Sequence, residues 1–153
     1  MAVEPDQVMI FLAEAKRLDG RRMRWKPKGL RGDYSFFNAV VVVESAVLDA
    51  GMLHMTAHIN RIPRKYGFNL RWRGGDVLRL DVNPARTHMN TRTKAIVRGT
   101  HWQQHPLFDA DPDAREMIHL QWMDAFLRRA NIQGGRLSYA PPPFEHVQFE
   151  LGL

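Results

Sequence analysis

The stretch FNLRWRGGDVLRLDV, residues 68–82, admits few folds. Phe68, Leu70 and Trp72 alternate with polar residues, and Leu78, Leu80 and Val82 alternate again after a glycine pair. Period-two alternation on both sides of a turn signal specifies an antiparallel hairpin with one apolar face. A two-residue turn at Gly74-Gly75 would set Leu70 against Arg79 and mix the faces. A three-residue loop, Arg73–Gly75, sets Leu70 against Leu78 and Phe68 against Leu80. The longer loop, with a glycine in a left-handed conformation, is therefore expected.

Further strands surround this hairpin. YSFFNAVVVVE (residues 34–44) is β-branched and aromatic and apolar on both faces, as a central strand is. MLHMTAHINR (residues 52–61) turns Leu53, Met55, Ala57 and Ile59 one way and His54, Thr56, His58 and Asn60 the other. Met23 and Trp25 alternate with charges, which predicts a short strand up to Pro27. A short strand is expected at Ala95–Arg98 within a loop, and a last one at FEHVQFEL (residues 144–151).

Helices are expected at the two ends. Pro5 suits a first helical turn, with Glu4 and Asp6 beside the helix N-terminus and Asp19-Gly20 as the stop. Near the C-terminus, Asp111 reads as a cap, Pro112 as the first helical residue, and Asp113 with Glu116 as a capping box. Met117, Leu120, Met123, Leu127 and Ala130 form the apolar stripe, and a glycine pair ends the helix. The resulting expectation is one α+β domain spanning residues 1–153. It holds a mostly antiparallel meander sheet of about five to seven strands, with the N-terminal helix and a long helix near the C-terminus packed on it.

Composition narrows the chemistry. The chain has no cysteine, which excludes disulfides, thiol nucleophiles and thiolate metal sites. Asn38 and Glu44 interrupt the longest apolar run, and acids precede the first apolar residues, so neither a membrane span nor a signal peptide is expected. A cytoplasmic protein without a membrane role follows from that reading. Residues 16–98 hold 18 basic and 6 acidic residues, a net of +12, whereas the flanks together hold 4 basic and 10 acidic. A basic middle attracts phosphate backbones or an acidic protein partner.

The segment NPARTHMNTRTKAIVRGTHWQQHP, residues 83–106, contains no acid. His101 and His105 on a helical turn, joined by His88 or Asp109, would make a metal site, but no HExxH pattern accompanies them and none is expected. His54 and His58, four apart on a strand, lie roughly 13 Å apart, so they read as part of a polar sheet face. Cleaving RNA without metal needs a base, an acid and cations around the phosphorus. His88 and His101 are the candidate base and acid. Arg86, Arg92, Lys94 and Arg98 are candidate phosphate contacts, with Trp102 as a stacking platform and His105 beside them. No phosphate-cradling glycine loop or GxSxG elbow is present, and no cofactor is expected. His119 reads as a partly buried, hydrogen-bonded histidine. Trp25, Trp72 and Trp122 read as core packing.

The run LRLDVNPARTHMNTRTKAIVRGTHWQ, followed by DAFLRRANI, resembles small bacterial proteins associated with toxin–antitoxin or other mobile loci. The likeness covers roughly the C-terminal half of the chain: a strand entering Asn83-Pro84, then His88, then Gly-x-His at Gly99–His101, then a helix. Gln103 stands where such proteins often carry another histidine. The resemblance implies a small bacterial or phage protein acting on RNA or on another protein. Three readings stay open: a nucleic-acid-directed protein, with a metal-independent ribonuclease as its catalytic form; a non-enzymatic inhibitor of an acidic partner; and an assembly protein that self-associates as a homodimer.

Overall fold

A computed structural model describes residues 5–27, 36–59 and 64–143. In chain order the elements are α1 (Pro5–Ala13), β1 (Lys16–Leu18), β2 (Lys26–Pro27), β3 (Phe36–Ser45), β4 (Gly51–His58), β5 (Lys65–Trp72), β6 (Gly75–Val82), β7 (Thr87–Met89), β8 (Ile96–Arg98), β9 (His101–Gln104), β10 (Asp111–Pro112), α2 (His119–Arg129), β11 (Ile132–Gln133) and α3 (Gly135–Ser138). The fold is α+β. One sheet runs β10-β9-β6-β5-β4-β3-β1-β11, with β2 on the same edge of β3 as β1. The meander β3–β6 is antiparallel throughout, and only β1 with β11 is parallel. Strands β7 and β8 form a separate two-stranded hairpin.

The sheet is larger than expected, nine strands among the described residues, and the C-terminal helix is shorter. Asp111 and Pro112 do not cap and start a helix. They pair as β10 with Trp102 and His101. The Asp113 carboxylate accepts from Trp102 Nε1 and from Arg115 instead of capping, and these bonds hold it down at about 2. Helix α2 begins at His119, where the Ile118 N–H donates to the Gln121 side chain at 3.0 Å. The expected last strand, residues 144–151, lies outside the described residues.

The β5–β6 hairpin keeps the expected pairs, Phe68 with Leu80 and Leu70 with Leu78, by another route. The turn has two residues, Arg73 and Gly74, both at positive φ (50° and 76°). This is the geometry whose twist matches a hairpin. The odd residue is absorbed by a bulge, with Arg71 opposite Asp76 and Val77 left over. One sheet face then carries Val41, Leu53, Met55, Phe68, Leu70, Leu78, Leu80 and Trp102, all buried. Helix α1 covers its lower part through Phe11, stacked on Trp72 at 4.6 Å. Helix α2 covers the rest, with Phe126 between Phe68 and Trp102 at 5.6 and 5.9 Å.

Two titratable side chains sit inside this core. Lys16 is 2% exposed, and its ammonium donates to the carbonyls of Phe11, Leu12 and Glu14 at the end of α1. Those carbonyls have no partner within the helix, and burial lowers the lysine to about 8. His119 is fully buried among the rings of Trp25, Tyr66, Phe68 and Tyr139. Its Nδ1 lies 2.8 Å from the Tyr139 hydroxyl, while Nε2 has no hydrogen-bond partner among the described residues. Burial pushes it down to about 3.

Lys16→Met removes one buried and two partly buried hydrogen bonds from the carbonyls that close α1 and should cost about 1–3 kcal/mol in urea unfolding. For His119 the folded protein resists the proton that the unfolded chain takes up below about pH 6.5. Stability should therefore fall as pH drops from about 6.5 towards about 3, with a His119 share of up to about 1.4 kcal/mol per pH unit. His119→Leu should show a shallower acid slope than the parent; equal slopes would contradict this account.

Candidate functional site

The face of the sheet opposite the helices is mostly polar, with Val40 and Met52 exposed on it, and strand register sets its rows. Lys26, Asn38, Thr56, Gly67, Asp81 and His101 are successive cross-strand partners from β2 to β9. Partners across a ladder point to the same side, so these six form one transverse row, roughly 24 Å long at the usual strand spacing. Val40, His54, Asn69, Arg79 and Gln103 form the next row. His54 and His58 both lie on this face, as the alternation in residues 52–61 predicts.

Charge on this face is unequal. Both of its central carboxylates are ion-paired, Asp76 with Arg71 at 3.1 Å and Asp81 with Arg86 at 2.9 Å. Lys26, Lys65 and Arg79 carry no ion pair among the described residues. A groove of about 740 Å³ runs between the Arg21–Lys26 segment and β3, lined by Arg21, Arg22, Arg24, Lys26, Asn38 and Val40. A cleft of about 480 Å³ opens above β4–β6, with Thr56, Lys65, Gly67, Asn69, Arg79, Asp81 and Arg86 in its wall.

At the far end of the central row, His88 and His101 meet, their ring centroids 5.2 Å apart. They reach each other from different elements. His101 is on β9, in the main sheet rather than in a loop, and is 1% exposed. Its Nδ1 lies 2.9 Å from the Gly99 carbonyl, which only accepts, so that nitrogen carries a proton. His88 is on β7, opposite Val97, on the hairpin side that faces the sheet. Desolvation, then neighbouring His101 and Arg86, lower its pKa, and Asp81 opposes them.

The other expected contacts are not gathered here. Arg98 pairs with Thr87, one position along from His88, so strand alternation turns it to the outer side of the hairpin. Arg92 is ion-paired with Asp109. Lys94 sits in the hairpin turn at φ 61°. Of the four expected cations, Arg86 alone acts on the histidine pair, beside Asp81. Trp102 is 4% exposed, with Phe126 stacked on it and the Arg129 guanidinium 4.6 Å from its ring centre, so it is core and not a platform for a base. His105 leaves the end of β9 and packs edge-on against Phe108 at 5.8 Å. Among the described residues no three His, Cys, Asp or Glu side chains gather as a metal site requires, and no helix is long and apolar enough to cross a membrane.

The residues this face adds, Thr56, Gly67, Asn69, Arg79 and Asp81, carry no motif. A glycine inside an alternating strand was the available signal. No protein-family model, curated protein or solved structure matches the chain.

The electrostatics of His88 can be checked by NMR titration. It should titrate below the ordinary value near 6.5. Arg86→Ala removes a cation and releases the Asp81 carboxylate, so both effects should move the His88 midpoint up. An unmoved midpoint would place Arg86 and Asp81 outside its electrostatic reach.

Proposed function

We propose that the open sheet face binds the phosphate backbone of single-stranded RNA. One observation carries the reading. The face and its bordering groove present Arg22, Arg24, Lys26, Lys65 and Arg79 without ion pairs among the described residues, while Asp76 and Asp81 are neutralised. A broad polar sheet face suits a flexible single strand, whose bases splay and whose backbone follows a cationic track. Duplex reading by a helix in the major groove calls for a free helix, and α1 and α2 bury their apolar sides on the core. The protein is thus read as a small intracellular bacterial or phage RNA-binding protein.

A second reading, metal-independent cleavage, has one observation in its favour: two imidazoles adjoin at the end of the row. Because His101 is almost fully enclosed, His88 is then the group that exchanges a proton with substrate, and His101 is a positioning residue held by Gly99. On that reading His88→Ala abolishes strand scission and leaves oligonucleotide affinity unchanged. Equal turnover in parent and variant removes it.

Binding itself is tested by anisotropy with a labelled ribo-oligonucleotide between roughly 50 and 200 mM salt. Affinity should fall steeply with salt. Lys26→Ala and Arg79→Ala should each weaken binding and flatten the log–log slope by about 0.7. Salt-independent affinity, or none, would sink the backbone reading. Capture of an acidic protein in place of RNA would move the face to the inhibitor class.

A further inference from the structure

The outer edge of β3 is covered in two pieces. Strand β1 pairs with Val43, Glu44 and Ser45, and β2 pairs with Phe37 and Asn38. Between these pieces residues 20–25 leave the sheet. The Met23 N–H donates to the Ser138 carbonyl at 2.8 Å, and Trp25 Nε1 donates to the Ala140 carbonyl at 2.9 Å. The edge of β3 therefore has a window. The Asp19 N–H reaches the Val42 carbonyl at 2.9 Å, so Val42 turns its polar backbone towards that edge. Alternation turns the N–H and carbonyl of Val40 the same way. Among the described residues nothing on that edge hydrogen-bonds to them.

The groove beside β3 opens over this window. Its volume of about 740 Å³ is within the range of small-ligand sites. Arg21, Arg22, Arg24 and Lys26 line it, and no carboxylate among the described residues does. Asp19 engages Arg21 alone, at 3.8 Å. Arg22, Arg24 and Lys26 carry no ion pair among the described residues. A continuous strand passing through a groove needs an entrance and an exit. The entrance is on the open face, where Lys26 and Asn38 begin the transverse row. The far wall is the segment Arg21–Lys26, anchored to Ser138 and Ala140, and β1 and β2 close the groove along β3. A polynucleotide laid on the face reaches its end here.

We propose that this groove binds a terminal phosphate monoester of the RNA strand. This rests on the open face being an RNA face and names the form of RNA it selects, a strand with a phosphorylated end. Charge favours the end over the interior. An internal phosphodiester carries a single negative charge, whereas a monoester, with a second pKa of about 6, carries close to two at pH 7. The monoester also offers one more free oxygen than the diester. Guanidinium forks match phosphate oxygens in pairs, which suits Arg22 and Arg24. Lys26 adds a point charge, and the Val40 N–H adds a backbone donor at the floor.

The test uses one ribo-oligonucleotide sequence with a 5′-phosphate, with a 3′-phosphate, or with hydroxyls at both ends, at one salt concentration, against the full chain. One phosphorylated form should bind about tenfold more tightly than the hydroxyl form, the worth of a charge-assisted hydrogen bond. The other phosphate should add little, and the end that responds gives the direction of the strand on the face. Arg22→Ala/Arg24→Ala should bring the ratio towards one. Arg79→Ala, three strands away, should weaken all three forms and keep the ratio. Arg22, Arg24 and Arg79 are exposed, so these changes leave the core intact. Lys26→Gln reads the same ratio if the double variant does not fold. Equal affinity for the three forms, or an equal gain from either phosphate, overturns the end site while the backbone reading stands. An unchanged ratio in the folded double variant overturns it too. Failure to bind any form overturns both readings.

Discussion

One surplus residue in β6 keeps the two faces of the sheet chemically distinct. The two-residue turn at Arg73-Gly74 would, in a regular ladder, place Leu70 opposite Val77 and Asn69 opposite Leu78. Every later side chain of β6 would then stand on the wrong side, since a one-residue slip exchanges the faces. Arg79 would enter the layer of Phe68, Leu70 and Phe126, and an unpaired guanidinium there costs several kcal/mol on the order of magnitude known for buried ions. The bulge at Val77 restores Leu78 and Leu80 to the core and, by the same shift, sets Arg79 beside Asn69 and Asp81 beside Gly67. Core and polar cleft are two results of one irregularity.

The parts of the fold legible in the sequence are those where periodicity and burial say the same thing. The alternation in residues 52–61 and 68–82 placed the faces of β4, β5 and β6 correctly. It also picked the hairpin register while mistaking the device, because a loop of three and a turn of two with a bulge leave the same hydrophobic pattern. The start of α2 was misread for a different reason. Asp111, Pro112, Asp113 and Glu116 have the residue types of a helix N-terminus, yet an open sheet edge at β9 offered the backbone other partners. Tertiary pairing outweighed a local preference of modest size.

The candidate site was half legible. His88 and His101, thirteen positions apart, adjoin because a hairpin folds back between them. Spacing permits that arrangement without demanding it. The cations were harder to place, since arginine type says nothing of which side of a strand it leaves. Arg86 is at the pair and Arg98 is turned away, and only the pairing of β7 with β8 separates them. From sequence Trp102 reads as a stacking platform because residues 101–104 read as loop. Its neighbours Thr100, His101, Gln103 and Gln104 are all polar, so no alternation marks the strand. Gly67 has no chemistry of its own, and its place in the row appears only once three strands are in register.

Strands distant in the chain, β1 and β11, meet on one sheet edge. Strand β11 lies parallel to β1, the Lys16 N–H donates to the Asn131 carbonyl, and the Asn131 side chain donates to the Ala13 carbonyl, 118 positions away. The meander β3–β6 needs only short loops, whereas this pairing closes a loop that spans most of the chain, and closure entropy grows with length. On that ground the edge is expected to seal after the meander has formed. Lys16 sits at that seam while its ammonium holds the end of α1. A capping contact of helix α1 is thereby tied to one of the most distant contacts among the described residues, and α1 becomes fully enclosed only when a strand more than a hundred positions later arrives.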